Sequence, residues 1–455
     1  MLKHLHLEGF KSWKTLDMEF APITALFGPN SSGKSSILQF LLLLKQTYES
    51  KDPNTVLDFG IGGRGLVDLG TPLHVAYKRN LEADLVWSLN WQLPGALEIY
   101  DMSIRDSLID AAKELTISTR VDFSNFSDPS NKEEIFTKEL SYALGSQNFS
   151  LSRGEMGYRL HSKNYEFKMV QETSNSSPEP PLPGPIRSYA FPDRVRSAHK
   201  NADFLSHLEV KYTEMMDRIY YLGPLREQPK RVYEWSVKKP RDVGARGENT
   251  IDAILAAGNE SSGFQQRIAT QLRKMGILHD FQLISASTEN MMFYLPRVKP
   301  PNSTTITYLP DVGFGVSQVL PVVVLLNYVP EGSTVLLEQP EIHLHPAVQS
   351  ELGDLIINAM QDRNLQIIVE SHSEHLLRRL QRRIAEEKVS NTKMHLYFTK
   401  MQNGQSVANH LELNEYGYIK NWPEDFFGDE FGEISKTQDA MFKRMKEKKL
   451  AEKKP

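Results

Sequence analysis

The chain contains no cysteine. Disulfides, cysteine-bound zinc, iron–sulfur clusters and thiol nucleophiles are therefore excluded, and a cytoplasmic protein is expected. Long apolar runs are missing as well. A membrane helix needs about 18 consecutive apolar residues, and Phe40–Leu44 falls far short. The opening LKHLHLEGF has the pattern of a strand and not of a signal peptide. Neither sign of charge dominates. The 53 Lys and Arg residues face 57 Asp and Glu, a formal net charge of -4, so nucleic-acid contact would need a local patch. One basic run exists, where Lys443, Arg444, Lys446, Lys448, Lys449, Lys453 and Lys454 oppose Glu447 and Glu452. A solvated terminal helix accounts for it; a nucleic-acid or partner contact is the alternative. There is no internal repeat and no heptad arm, and Val210–Arg218 and Leu376–Glu386 are single helices. What remains, 455 residues of ordinary composition, has room for two or three lobes.

Against these absences one motif stands out. Gly28-Pro29-Asn30-Ser31-Ser32-Gly33-Lys34-Ser35 matches G-x-x-x-x-G-K-[ST] in full and follows the apolar stretch Ile23–Phe27. Glycines let the backbone curl so that successive N–H groups face phosphate oxygens, and the helix that follows adds its positive end. Lys34 then reaches the outer phosphates and Ser35 is the natural Mg²⁺ ligand, with Ser36 continuing the loop into the helix. A nucleoside triphosphate, ATP with Mg²⁺, is the expected ligand.

The hydrophobic pattern predicts strands at Lys3–Leu7 and Leu16–Phe20, then a helix over Ser36–Tyr48. Strands follow at Val75–Lys78, Asp84–Trp91, Leu115–Phe123 and Tyr158–Met169, with a helix over Asp101–Glu114. Ser174–Pro185 is a proline-rich break. Helices are expected over Asn201–Ile219, over Thr250–Met275 with a turn at Gly258, and over Ser317–Val329. Short strands lie at Met292–Leu295 and Thr304–Tyr308. Thereafter strands Thr334–Leu337, Gln366–Val369 and Lys393–Phe398 alternate with helices Pro346–Met360 and Glu374–Glu386. That alternation predicts a parallel-sheet core built from both ends of the chain, with the middle third inserted.

A triphosphate site needs a metal-holding carboxylate at the end of a neighbouring buried strand. Thr334–Leu337 ends in Glu338-Gln339-Pro340-Glu341, so Glu338 is the candidate beside Ser35. Gln339 stands where a carboxylate would prepare the attacking water; an amide orients water but does not take its proton. Glu341 is the candidate substitute. Ile367-Ile368-Val369-Glu370-Ser371-His372 places a histidine just beyond another strand, where it can donate to the γ-phosphate or hold the water. A zinc site among His343, His345, His372 and His375 matches no hydrolytic spacing. Gly313-Phe314-Gly315-Val316-Ser317-Gln318 opens an apolar helix and presents N–H and hydroxyl groups to an anion, or simply caps that helix.

In this order these elements resemble the ATP-binding-cassette class, specifically head domains of the structural-maintenance-of-chromosomes, Rad50 and overcoming-lysogenization-defect ATPases. Leu7-Glu8-Gly9-Phe10-Lys11-Ser12, GPNSSGKSS, YLGPLR at 221–226, GFGVSQ at 313–318, LLEQPEIHLHP at 336–346 and VESHSEHLL at 369–377 carry the likeness, which frames most of residues 1–400. The segment Leu411–Gly428 resembles a short C-terminal module of uncharacterised function found on some bacterial members. The implied fold is α/β: a P-loop ATPase head with a mixed β-sheet core, an antiparallel β lobe and a helical signature subdomain. The head spans 1–400, as an N-terminal lobe 1–75, a β-rich and helical insertion 76–219, a signature subdomain 220–330 and a switch lobe 331–400. An accessory module covers 401–432 and a basic helix or tail 433–455.

On that resemblance, residues Gly28 to Ser36 bind ATP, Ser35 and Glu338 hold Mg²⁺, and His372 is the switch histidine. Gly315, Ser317 and Gln318 would meet the γ-phosphate bound by an opposite subunit, and Pro340–Pro346 would cross the seam, so ATP would join two copies. Gln339 replaces the usual catalytic glutamate, which implies slow hydrolysis unless Glu341 or a partner supplies the base. The stretch beyond His372 lacks a Glu followed by Asp-x-Asp, so no topoisomerase-primase-type nuclease is expected, and a separate effector such as a nuclease is the implied partner. The favoured function is an oligomeric regulatory ATPase of bacterial anti-phage defence. A DNA repair or recombination ATPase and a largely non-hydrolysing scaffold are the alternatives.

Overall fold

The computed structural model describes residues 1–63, 65–104, 107–127, 135–170, 181–234, 239–260, 263–287, 292–423, 426 and 441. Most of the Ser174–Pro185 break, Phe427 and Gly428, and the basic run 443–454 lie outside the described residues.

Alternation builds the first sheet. In β1 (Leu2–Phe10) and β2 (Trp13–Glu19), Leu5, Leu7, Phe10, Trp13, Leu16 and Met18 are buried, while His4 and His6 meet Asp17 on the other face. The buried strand β3 (Ile23–Phe27) then feeds α1 (Lys34–Glu49), and a helical turn, α2 (Pro72–Val75), follows. Five long antiparallel strands come next: β4 (Leu85–Asp101), β5 (Ser107–Asp122), β6 (Phe136–Leu144), β7 (Gln147–Gly154) and β8 (Gly157–Ser162). They join the opening hairpin in a seven-stranded sheet of order β2-β1-β4-β5-β6-β7-β8. Helices α3 (Asp193–Ala198) and α4 (Leu205–Asp217) lead into β9 (Ile219–Leu222).

The next stretch holds β10 (Tyr233–Glu234), α5 (Thr250–Glu260), α6 (Phe264–Lys274), β11 (Asp280–Ser287), β12 (Met292–Lys299), β13 (Thr307–Tyr308) and α7 (Phe314–Tyr328). The last part alternates: β14 (Thr334–Glu338), α8 (Pro346–Arg363), β15 (Gln366–Glu370), α9 (Glu374–Ala385), β16 (Met394–Gln402) and β17 (Gln405–Leu411). The central sheet is six-stranded, in the order β17-β16-β3-β15-β14-β9. All its neighbours are parallel except the β16–β17 hairpin. Strands from both ends of the chain thus meet in one mixed core, and the fold is α/β.

This sheet has two buried faces. Leu26, Ile368, Leu336 and Tyr221 share a core with α1, α4 and the antiparallel sheet, where Phe40 lies edge-on to Phe10 and Trp87. Their strand neighbours Ala25, Val369, Val335 and Tyr220 pack into the second core with α5 to α9. The near-continuous apolar wording of these strands follows from that double burial.

Several local expectations are overturned. Asp101–Glu114 is not a helix: β4 runs through to Asp101 and β5 starts at Ser107. The pairing of Leu97 with Ala112 and of Asp101 with Ser107 overrides the helical leaning of the Ala-Ala-Lys-Glu stretch. Val75–Lys78 is not a strand, because Thr71 and His74 form a capping box and Pro72 starts a helical turn. Strand structure in Tyr158–Met169 stops at Ser162, and in Thr304–Tyr308 it covers only Thr307 and Tyr308. Gly258 stays inside α5, and the break falls at Gly263, whose φ of 101° suits it to precede α6.

Candidate nucleotide site

Parallel strands bring their C-terminal ends to one edge, and here that edge is acidic. Glu338 at the end of β14 is in register with Glu370 at the end of β15, which is in turn beside Leu26 of β3. The Gly28–Ser35 loop starts just past that line, at the place where parallel sheets usually bind ligands.

The loop is held by its backbone and by the β16–β17 hairpin. Gly28, Ser31 and Gly33 have φ values of 140°, 60° and 97°. A Cβ on Gly28 would run into the Thr399 carbonyl, and one on Gly33 would sit 2.5 Å from Ser406 Oγ. Ser32 Oγ lies 2.5 Å from Thr399 Oγ1, and Trp13 Nε1 donates to the Gly33 carbonyl at 3.2 Å. Lys34 curls back over the loop, donating to the carbonyls of Gly28 at 3.0 Å and Pro29 at 2.8 Å. Burial lowers its pKa, opposed by the charges of Glu370 and Glu341.

Ser35 Oγ donates to Glu370 Oε1 at 3.0 Å. Glu338 is engaged elsewhere, accepting from the Tyr221 hydroxyl at 2.9 Å. Burial, and then the Glu370 charge, push the Glu338 carboxyl up to about 7. Burial raises Glu370 too, while Ser35, Lys34 and the Gln339 side chain oppose the rise. Gln339 takes the left-handed φ of 43°, and its N–H donates to the Glu370 carbonyl at 2.9 Å. His372 is lowered by burial and by the Lys34 charge, which favours the neutral ring. A cleft of about 290 Å³ opens here, lined by loop residues 30–36, Ser12, Gln39, Gln339, Glu370 and His372.

Glu341 is not among the residues lining that cleft. It is buried, and its Oε1 accepts from Ser371 Oγ at 2.8 Å and from the His372 N–H at 2.7 Å, fixing the turn that carries His372. Gly315, Ser317 and Gln318 occupy the first turns of α7, and they also do not line the cleft. Ser317 Oγ donates to the Phe314 carbonyl at 2.6 Å, while Phe314 is half exposed and meets the His343 ring edge-on at 5.1 Å.

Three further residues belong to this edge. Tyr221 and Arg226 come from the YLGPLR segment, and Glu370 ends a strand as Glu338 does. The signal for Glu370 was therefore already present in the VESH wording. Arg226 is 7% exposed, and none of its guanidinium nitrogens has a hydrogen-bond partner among the described residues. Burial lowers its pKa to about 10 against the pull of Tyr221, Glu338 and Glu341.

The donor set fits Mg²⁺. A hydroxyl and a carboxylate stand together, and the buried Glu370 Oε2 has no hydrogen-bond partner among the described residues. Among the described residues no three His, Asp or Glu side chains converge as a metal cage. That suits a cation completed by phosphate and water.

Two family models cover most of the chain. One, described as "AAA ATPase domain", matches residues 1–176; the other, "AAA domain, putative AbiEii toxin, Type IV TA system", matches 170–378. A third, a protein of unknown function termed DUF3696, matches 389–436. No curated protein sequence matches. Similar solved structures include the Smc head bound to the C-winged helix domain of ScpA, at 15% identity and a TM-score of 0.44, covering 90% of this chain and 98% of that one. Others are the SMC head domain from Thermotoga maritima (12%, 0.39, 90% and 99%) and the Pyrococcus furiosus Smc head with an extended coiled coil, bound to the C-terminal domain of ScpA (13%, 0.42, 90% and 96%). Among the described residues no helix is long and apolar enough to cross a membrane. The chain thus carries an ATP-binding P-loop ATPase domain of mixed α/β fold, formed by two segments that match AAA ATPase models and followed by a DUF3696 segment.

Proposed function

We propose that this chain is a slow, Mg²⁺-dependent ATPase that acts as an oligomeric switch on a separate effector, in bacterial anti-phage defence. The observation that carries the slow chemistry is Gln339. It lines the cleft where a glutamate would act as base, and its amide holds water without taking a proton. His372, whose neutral ring is favoured by burial, also lines the cleft and can accept from that water. Lys34 leaves the Gly28 and Pro29 carbonyls to bind the outer phosphates, and the N–H groups of residues 30–36 take the rest. Ser35 and a strand-end carboxylate would hold Mg²⁺. Bound there, the metal would supply charge neutralisation for the phosphates during hydrolysis.

An oligomer is supported by the placement of Gly315, Ser317 and Gln318 outside this chain's own cleft, which leaves them for the nucleotide of a second copy. The toxin–antitoxin wording of the model matching 170–378 supports an effector partner and the defence context. Affinity purification from the native host, with ATP and with EDTA, tests this. An ATP-dependent complex with a second protein, lost in Lys34→Ala, is expected. A wild-type chain that remains alone and monomeric with ATP would sink the switch proposal, and duplex DNA capture with DNA-stimulated turnover would replace it by a repair ATPase.

A further inference from the structure

We propose that Glu370, not Glu338, is the principal protein carboxylate for the metal beside Ser35, and that Gln339 is neutral because it is Glu370's companion. The inference rests on the nucleotide-site proposal above and refines its metal position.

Two contacts, the strand order and the cleft lining carry it. The hydroxyl of Ser35, the loop's own metal ligand, is hydrogen-bonded to Glu370 and not to Glu338. β15 lies between β3 and β14, so Glu370 is one strand from the loop while Glu338 is two. Glu338 is occupied by Tyr221, does not line the cleft, and has the buried Arg226 among the charges that act on it. Glu370 does line the cleft.

The same geometry gives Gln339 a reason. Its backbone N–H is bound to the Glu370 carbonyl, and its side-chain amide faces the Glu370 carboxylate. A glutamate at 339 would put an acceptor where a donor now stands and add a third carboxylate to an edge that already holds Glu338 and Glu370. The acidic group is thus shifted by one strand. Glu341 is a positioning residue, binding Ser371 and the His372 N–H from behind.

The test measures nucleotide affinity with and without metal on the full chain, using a fluorescent ATP analogue, and bound Mn²⁺ by electron paramagnetic resonance. Glu370→Gln is expected to retain metal-free binding and to lose at least tenfold of the Mg²⁺-dependent tightening, with the bound Mn²⁺ signal lost. Glu338→Gln should keep most of both. Gln339→Glu serves as the second variant, which keeps the assignment testable if Glu370→Gln fails to fold. Its melting temperature should fall without metal and recover with Mg²⁺ and ATP. The reverse order of the two carboxylate variants, or a Gln339→Glu protein that is as stable as wild type without metal and turns over faster, would overturn the assignment. Absence of nucleotide binding by wild type both with and without metal would instead remove the nucleotide-site proposal itself.

Discussion

Gly28 and Thr399 are in direct contact, and the Thr399 carbonyl fills the space that a side chain on Gly28 would need. The first glycine of the phosphate loop is therefore fixed from outside the loop, by β16. Gly28→Ala meets both that carbonyl and an unfavourable φ of 140°. It should abolish ATP binding and lower the melting temperature by several degrees. Thr399→Val, which removes the hydroxyl that meets Ser32 and donates to the Phe27 carbonyl, should fold and cost about 1–3 kcal/mol. Calorimetric titration with ATP beside thermal melts separates the two outcomes.

Asp354 ties α8 to α9. Its Oδ2 meets Arg379 and Arg383 at 2.5 Å, and its Oδ1 accepts from Arg383 Nε at 2.6 Å. Burial alone would raise this carboxyl; the Arg383 and Arg379 contacts outweigh that and hold it below its usual value. Its stabilisation is thus present above the unfolded carboxylate pKa and is lost as pH falls through the lower folded value. Asp354→Asn should cost about 1–3 kcal/mol in urea unfolding at neutral pH, and the gap should close in acid below about pH 4. A pH-independent gap would mean packing, not charge, is what Asp354 supplies.

The parts of the site that depend on local wording were legible in the sequence. The loop, the buried strand ending in Glu338 and the histidine after β15 all follow from an apolar run and its first polar residues. What the sequence did not give was which strand lies beside which. The separation of Glu338 from Ser35 by β15 is a property of sheet order, so the choice between Glu338 and Glu370 required the tertiary pairing. The same holds for Asp101–Glu114, where helix-forming residues are drawn into a long hairpin by their partners, and for β6, β7, β9, β10, β11 and β17, which the hydrophobic pattern does not predict. Thr399 and Ser406 are ordinary hairpin residues until their contact with Gly28 and Gly33 is seen.

Glu209 gives the pH dependence with the opposite sign. It sits on α4, with Oε1 accepting from the Phe191 N–H at 2.8 Å and Oε2 at 3.6 Å from Arg196. Burial pushes its carboxyl up to about 7, against a usual 4.5, despite these contacts. Folding thus favours the protonated form, so its contribution is fully present below the unfolded pKa and disappears as pH rises through the folded value. A shift of that size is worth at most about 3 kcal/mol. Glu209→Gln keeps an acceptor for Phe191 and removes the ionisation, at the cost of the long Arg196 contact. Relative to wild type it should gain stability between about pH 5 and 8, with the gain largest at the alkaline end. Melting curves of the two proteins across that range decide it: parallel curves would show that Glu209 stays ionised in the fold.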